Sequence, residues 1–270
     1  MSNSLAPVLY LPHGGGPLPL MGDTNHKPMI EFLKTIPSQL GTPEAILVIS
    51  AHWEAEQATL TAAAKPELIF DYYNFPPEAY EYQYPAPGEP QLAQEAFELI
   101  KNASIDVKID EQRGFDHGLF VPLMLMYPQA NIPCIQLSLT KDLDPEKHIK
   151  LGKSLAELRK RNILIVGSGM SFHNLKTFFE PSSEGNQQSY DFDDWLQKTC
   201  CDDPINSMQR LIEWEKAPHA RYCHPREEHL LPLHVCYGIA CTKSSKAEVV
   251  FEVVFNDELM GKRVSALLWN

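Results

Sequence analysis

Three stretches of the chain share one pattern, a run of apolar and often β-branched residues that gives way to a histidine. AILVISAHW (45–53) delivers His52, APVLYLPHGGG (6–16) delivers His13, and NILIVGSGMSFHNL (162–175) delivers His173 after a Gly-Ser-Gly turn. Unbroken apolar runs of this length mark strands buried on both faces, as in parallel sheets. Open α/β sheets place their chemistry beyond the carboxyl edge of such strands. Further buried or short strands are predicted at PCIQLSL (133–139) and 59–61, and AEVVFEVVF (247–255) with RVSALLWN (263–270) predicts a closing antiparallel pair.

Between them the apolar spacing turns helical. Helices are predicted over 27–40, from Pro90 with Leu92, Ala96, Leu99 and Ile100 on one face, and from Asp144 as cap and Pro145 to near Arg161. Others are expected within 113–128 after His117, at 191–199, from Asp203 as cap with Pro204 to 215, and from Pro232 to Ala240, with 180–189 as a polar loop. The fold expected is α/β: a single domain over 1–270, a mostly parallel central sheet flanked by helices, and a site at the C-terminal ends of the strands.

One passage breaks both periodicities. DYYNFPPEAYEYQYPAPGEP (71–90) is dense in tyrosine, phenylalanine and proline. Proline keeps it out of a central strand, and its aromatics set it apart from disordered linkers. It reads as an ordered loop packed over the site, a lid.

Composition narrows the class. The 270 residues carry a formal charge of −12, which argues against nucleic acid, since phosphate neutralisation needs clustered Lys and Arg. No apolar run approaches the ~20 residues of a membrane span. No secretory signal is visible at the start. The six cysteines show no C-x-x-C pair, so they read as reduced thiols in a cytoplasmic protein.

The chemistry rests on the histidines. His26 and His148 read as surface or satisfied core residues. His219, His224, His229 and His234 recur every five residues. That spacing turns a helix by about 140° from one to the next and alternates strand faces, so one or two of them at most can share a site. His229, just before the helix opened by Pro232, is the best placed. His13 and His52 sit on strand ends, which are rigid enough for metal ligands, and neutral imidazoles suit metals of the zinc and iron class. A third ligand comes from His229 or its neighbours Glu227 and Glu228, leaving His173 and His117 as acid/base or hydrogen-bonding groups. HGGGP and Gly167-Ser168-Gly169 hint at a serine esterase, but the nucleophile elbow is G-x-S-x-G and the first glycine here is one place off.

HGGGP (13–17), SAHWE (50–54), FPPEAYEYQYPAPGEP (75–90), RGFDHGLFVPL (113–123), GSGMSFHNL (167–175) and EEHLLPLHV (227–235) occur in this order along nearly the whole chain. Together they resemble the class III, LigB-type extradiol ring-cleavage dioxygenases, in the branch that includes the DOPA 4,5-dioxygenases. The resemblance implies a non-haem metal, Fe(II) in function and Zn(II) as a possible occupant, ligated by His13, His52 and His229. It implies His173 as the acid/base and His117 in contact with substrate or oxygen. The wider superfamily has a glutamate as third ligand, and the DOPA-type branch is similar to this chain in having a histidine there. The implied reaction opens a catechol ring with O2 to give a semialdehyde. Two competing readings are a zinc hydrolase, since three histidines and a water suit zinc, and a binding protein on the same fold.

Overall fold

A computed structural model of the chain describes residues 5–178, 183–202, 204–242 and 250–270. Its strands are β1 (Val8–Pro12), β2 (Ala45–Ala55), β3 (Ala58–Thr61), β4 (Leu68–Ile69), β5 (Val107–Asp110), β6 (Phe115–Asp116), β7 (Cys134–Thr140), β8 (Ile163–Gly169), β9 (Phe251–Leu259) and β10 (Lys262–Trp269). Eight of them form one sheet in the order β5-β3-β7-β2-β8-β1-β10-β9. The middle four, β7, β2, β8 and β1, run parallel. β10 and β9 close one side antiparallel, as the sequence predicts. β3 turns against β7, and β5 runs parallel to β3.

The apolar runs form central strands because both of their faces are covered. Val8, Tyr10, Leu47, Ile49 and Ile165 pack on one side against helices that include Pro145–Ser154 and Leu231–Ala240. Leu9, Leu11, Ile46, Val48 and Val166 pack on the other, against Lys27–Thr35 and His117–Met126. Truncating any one of these buried leucines or isoleucines to alanine costs about 2–5 kcal/mol. The fold is thus the predicted single-domain α/β architecture with helices on both faces of a mostly parallel sheet.

Local departures have local causes. The helix expected over 27–40 ends at Thr35 and resumes as Pro37–Leu40, because Pro37 lacks the N–H that would continue it. The helix from Pro145 ends at Ser154 and tightens to a 3₁₀ turn, Ala156–Arg161; Asp144 caps it by accepting from the Lys147 N–H. The loop expected over 180–189 is corrected where it is described: Ser183–Cys201 is one helix. Its first turns offer little apolar periodicity. Buried Ser189 and Asp193 meet β10 through hydrogen bonds instead, Ser189 to the Arg263 N–H and Asp193 to Ser265. The predicted cap Asp203 and the start of the 247–255 strand lie outside the described residues.

His26, His148, His224 and His234 are buried, not surface groups. His224 and His234 donate to the carbonyls of Ser171 and Leu211. Burial pushes them down, to about 3 and about 4. Both stay neutral in the fold, while the unfolded chain takes up their protons below about pH 6.5. These two groups therefore contribute stability that is full above about pH 6.5 and is lost as the pH falls toward 4. Denaturant midpoints measured across that range for the wild type and His234→Gln check this; the variant is expected to show a shallower fall.

Candidate metal centre

The carboxyl ends of β1, β2 and β8 open toward one polar hollow, and five histidines converge there. His13 follows β1, and its N–H bonds Gly169 O at the end of β8. His52 is on β2, where the pairing with β7 shifts between Ile49 and Glu54. That irregularity leaves residues 50–53 unpaired with β7 and re-aims them, while Ser50 still pairs with Ser168 of β8. His117 opens the helix His117–Met126, directly after β6. His173 follows β8, its N–H held by Cys223 O. His229 precedes Leu231–Ala240, and its carbonyl accepts from Tyr10 Oη–H and from the Met170 N–H.

Gly169 makes that last contact possible: a Cβ there would collide with the His229 carbonyl oxygen. Gly169→Ala is therefore expected to push His229 out of place and cost about 1–3 kcal/mol. Thermal denaturation beside a metal titration of the variant checks both consequences.

The rings are arranged unequally. The centroids of His13, His52 and His229 are 4.8, 5.2 and 4.9 Å apart, an almost equilateral set. His173 stacks face to face on His229, with centroids 3.4 Å apart and planes at 17°. His117 lies 3.8 Å from His52 and 5.4 Å from His13. By the separation of possible ligand atoms alone, His13, His52 and His117 form one group with atoms within 4.8 Å of one another, and His173, Glu228 and His229 form a second.

Each ring presents one nitrogen to a partner behind it. His13 Nδ1 is 3.0 Å from Ser168 Oγ, whose own proton goes to Gly118 O. A carbonyl can only accept, so the serine oxygen accepts from His13 Nδ1–H, and the lone pair of His13 is on Nε2. Asp71 Oδ1 accepts from His117 Nδ1 at 2.7 Å and from the His117 N–H at 3.0 Å. Asp71 Oδ2 lies 3.7 Å from His52 Nδ1. Glu228 Oε1 is 3.1 Å from His229 Nδ1 and 3.3 Å from His173 Nδ1. Glu227 instead pairs with Arg221. Ser50 braces β2 at the same place, donating to the buried Asp116 and accepting from the His52 N–H.

Burial first, then the neighbouring imidazoles, hold His13 and His229 well below the ordinary histidine value; burial and His117 do the same for His52. Metal ligation requires a neutral imidazole with one ring nitrogen free, and for His13 that nitrogen is Nε2. His13 Nε2 and His52 Nε2 are 2.9 Å apart. Two nitrogens bound at right angles to one ion at ~2.1 Å stand about 3.0 Å apart. The donor set therefore fits a divalent metal of the zinc or iron class.

The aromatic passage 71–90 lies against the histidine cluster. Tyr72 is buried with its ring centroid 5.7 Å from that of His117, its hydroxyl donates to Ala79 O, and Tyr84 Oη–H donates to Tyr127 O at 3.1 Å.

The model of the catalytic LigB subunit of aromatic ring-opening dioxygenase matches residues 7–265. The chain belongs to the LigB family. It is 40% identical to "Dioxygenase tasH" of Hapsidospora irregularis, over 98% of this chain and 86% of that one. It is 38% identical to the 4,5-DOPA dioxygenase extradiol of Beta vulgaris (92% and 91% covered) and 34% identical to that of Escherichia coli K12 (88% and 86%). The crystal structure of the uncharacterized protein JW3007 from Escherichia coli K12 superposes with a TM-score of 0.79 at 27% identity, covering 98% of this chain and 100% of that one. As a LigB-family member the chain is an extradiol ring-cleavage dioxygenase, and its histidine cluster is the potential metal site of that enzyme.

The structure gathers the five histidines that the sequence singles out, and the groups behind them are not legible in the sequence. Ser168, dismissed there as a failed nucleophile, orients His13. In the sequence Asp71 is only the first residue of the aromatic passage. The two-residue parallel pair β4–β6, which sets Leu68 opposite Phe115 and Ile69 opposite Asp116, brings it to His117. Glu228, considered as a ligand, stands on the Nδ1 side of His229.

Proposed function

We propose that the chain opens the ring of a catechol with dioxygen, next to the diol, using Fe(II) held by His13, His52 and His229, with His173 as acid/base. The observation that carries the ligand set is the equilateral spacing of the three rings. An imidazole bound at ~2.1 Å puts its centroid about 3.2 Å from the ion, so rings at octahedral to tetrahedral angles stand about 4.5–5.2 Å apart. The separations of 4.8, 5.2 and 4.9 Å fall in that interval. His117 at 3.8 Å from His52, and His173 at 3.4 Å from His229, lie closer than two ligands of one ion and make ring contacts instead.

Iron(II) there would supply Lewis acidity for the catechol oxygens and the electron transfer that dioxygen needs. The protein's own part is proton handling, orientation and exclusion of water. Glu228 engages His173 on the Nδ1 side, which leaves Nε2 as the atom that takes a catechol proton and returns it to the ring-opened product. The stack on His229 fixes that ring beside the ligands. His117, its Nδ1 bonded to Asp71, presents its other nitrogen to substrate or oxygen. Tyr72 and its loop shield the ring being cleaved. A DOPA-like catechol is the first substrate to test, since several relatives are named 4,5-DOPA dioxygenase extradiol.

Two measurements test the reading. A panel of catechols offered to the Fe(II)-loaded protein should give yellow semialdehyde products. In metal titrations His229→Ala should lose binding, whereas His117→Ala should keep it; the reverse would move the third ligand to His117. Ser168→Ala removes the acceptor that keeps the proton of His13 on Nδ1, and metal affinity is expected to fall ~10–100-fold, the usual worth of an outer hydrogen bond to a ligating histidine. Ser168→Thr retains the hydroxyl and should recover part of the affinity.

A further inference from the structure

Asp71 is the point at which the aromatic loop touches the histidine cluster through a carboxylate. Oδ1 holds the ring and the backbone N–H of His117, and Oδ2 faces His52 Nδ1 at 3.7 Å. Beyond Asp71 and Tyr72 the loop turns outward: Tyr73 is 80% exposed, and Tyr80 bonds back to the loop itself at Tyr72 O. Its far end is pinned separately, by Tyr84 on Tyr127 and by the bond from the Gly88 N–H to Ala64 O. Asp71 is therefore the single charged tether between this loop and the site among the described residues, and it spans two histidines at once.

The proton positions make that tether responsive. Ser168 sets the lone pair of His13 on Nε2, 2.9 Å from His52 Nε2. In chelator-treated protein His52 can keep its proton on Nε2 and donate to His13, which turns an Nδ1 lone pair toward the Asp71 carboxylate. Neither partner then donates across that contact. Ligation of a metal by His52 Nε2 takes the lone pair on that atom and moves the imidazole proton to Nδ1, the nitrogen that faces Asp71 Oδ2. The net charge of the imidazole is unchanged. The contact, at 3.7 Å too long for a hydrogen bond in this structure, would turn from repulsive to attractive and shorten into one between the metal site and the first residue of the loop.

We infer that Asp71 is a positioning residue that couples metal occupancy to the ordering of loop 71–90, so that the loop is drawn down over the site when His52 is ligated. The inference rests on the reading of His52 as a ligand. Coupling of this kind is reciprocal: whatever the metal does to the loop, holding the loop does to metal affinity.

Hydrogen exchange over 72–84 tests it, on the chelator-treated protein with and without added Zn(II). In the wild type zinc should slow exchange there by about tenfold, within the usual range for coupled sites. Asp71→Asn should still bind zinc, more weakly, but lose the slowing; Asp71→Glu, which keeps a carboxylate, should restore part of it. Equal slowing in Asp71→Asn overturns the coupling. So does exchange in the wild type that ignores zinc while the metal is demonstrably bound, a result that needs no variant to fold. Zinc binding that survives His52→Ala overturns the ligand reading instead, which keeps the two failures apart.

Discussion

His173→Ala is expected to retain metal at the wild-type level while turnover falls ~10²–10⁴-fold, the range for a positioned proton-transfer group. The expectation follows from where the ring sits. It lies parallel to His229 with centroids 3.4 Å apart, too close and too parallel for both rings to direct a nitrogen at one ion. Its backbone N–H is fixed by Cys223 O, and Glu228 lies beside Nδ1. On the proposed assignment, removing the ring deletes a proton carrier and leaves His13, His52 and His229 in place. Metal analysis and single-turnover kinetics on the purified variant check it. Loss of metal would make His173 a ligand, and undiminished turnover would make it a spectator.

His52→Ala should do the opposite and abolish metal binding together with activity. Loss of an outer partner of a ligating histidine costs ~10–100-fold in metal affinity, and removal of a ligand itself must cost more. The Nε2 atoms of His13 and His52 stand 2.9 Å apart, close to the spacing of two nitrogens on one ion, which makes this pair the anchor of the proposed site. The variant should still fold, because His52 lies at the bulged end of β2, where the ladder with β7 is already broken, and Ser50 and Asp116 brace the strand independently. Isothermal titration with Zn(II), alongside the far-ultraviolet circular dichroism spectrum, separates loss of the site from loss of the fold.

The parts of this protein that were legible in the sequence are those written in local patterns. Strands β1, β2 and β8 open on apolar runs because both of their faces are covered, and a histidine follows each run at its own spacing; β7, with Gln136 and Ser138 among its apolar residues, delivers none. The closing pair β9–β10 and the helix Leu231–Ala240 were readable for similar reasons. Groups recruited across the fold were not readable. Asp71 reaches His117 through a two-strand pairing of two residues each, far below what periodicity resolves. Ser168 orients His13 from 155 positions away in the chain, and a lone serine in a glycine turn carries no local sign of that role. The first turns of Ser183–Cys201 hid because their buried positions are polar, satisfied by hydrogen bonds to β10. The recurrence of His219, His224, His229 and His234 does not build a site: of the four, His229 joins the cluster, while His224 and His234 bond to carbonyls in the core and His219 pairs with Asp191.

The central claim is that this site opens a catechol ring with dioxygen at a redox-active metal. The most direct test is a single-turnover experiment with an oxygen electrode and a diode-array spectrophotometer, on protein reconstituted with Fe(II) in one arm and Zn(II) in the other. With Fe(II) and a DOPA-like catechol, one O2 should be consumed per catechol as a yellow semialdehyde chromophore appears, and the zinc arm should consume none. Substrate loss in both arms without oxygen uptake would contradict the account and reassign the site to hydrolysis.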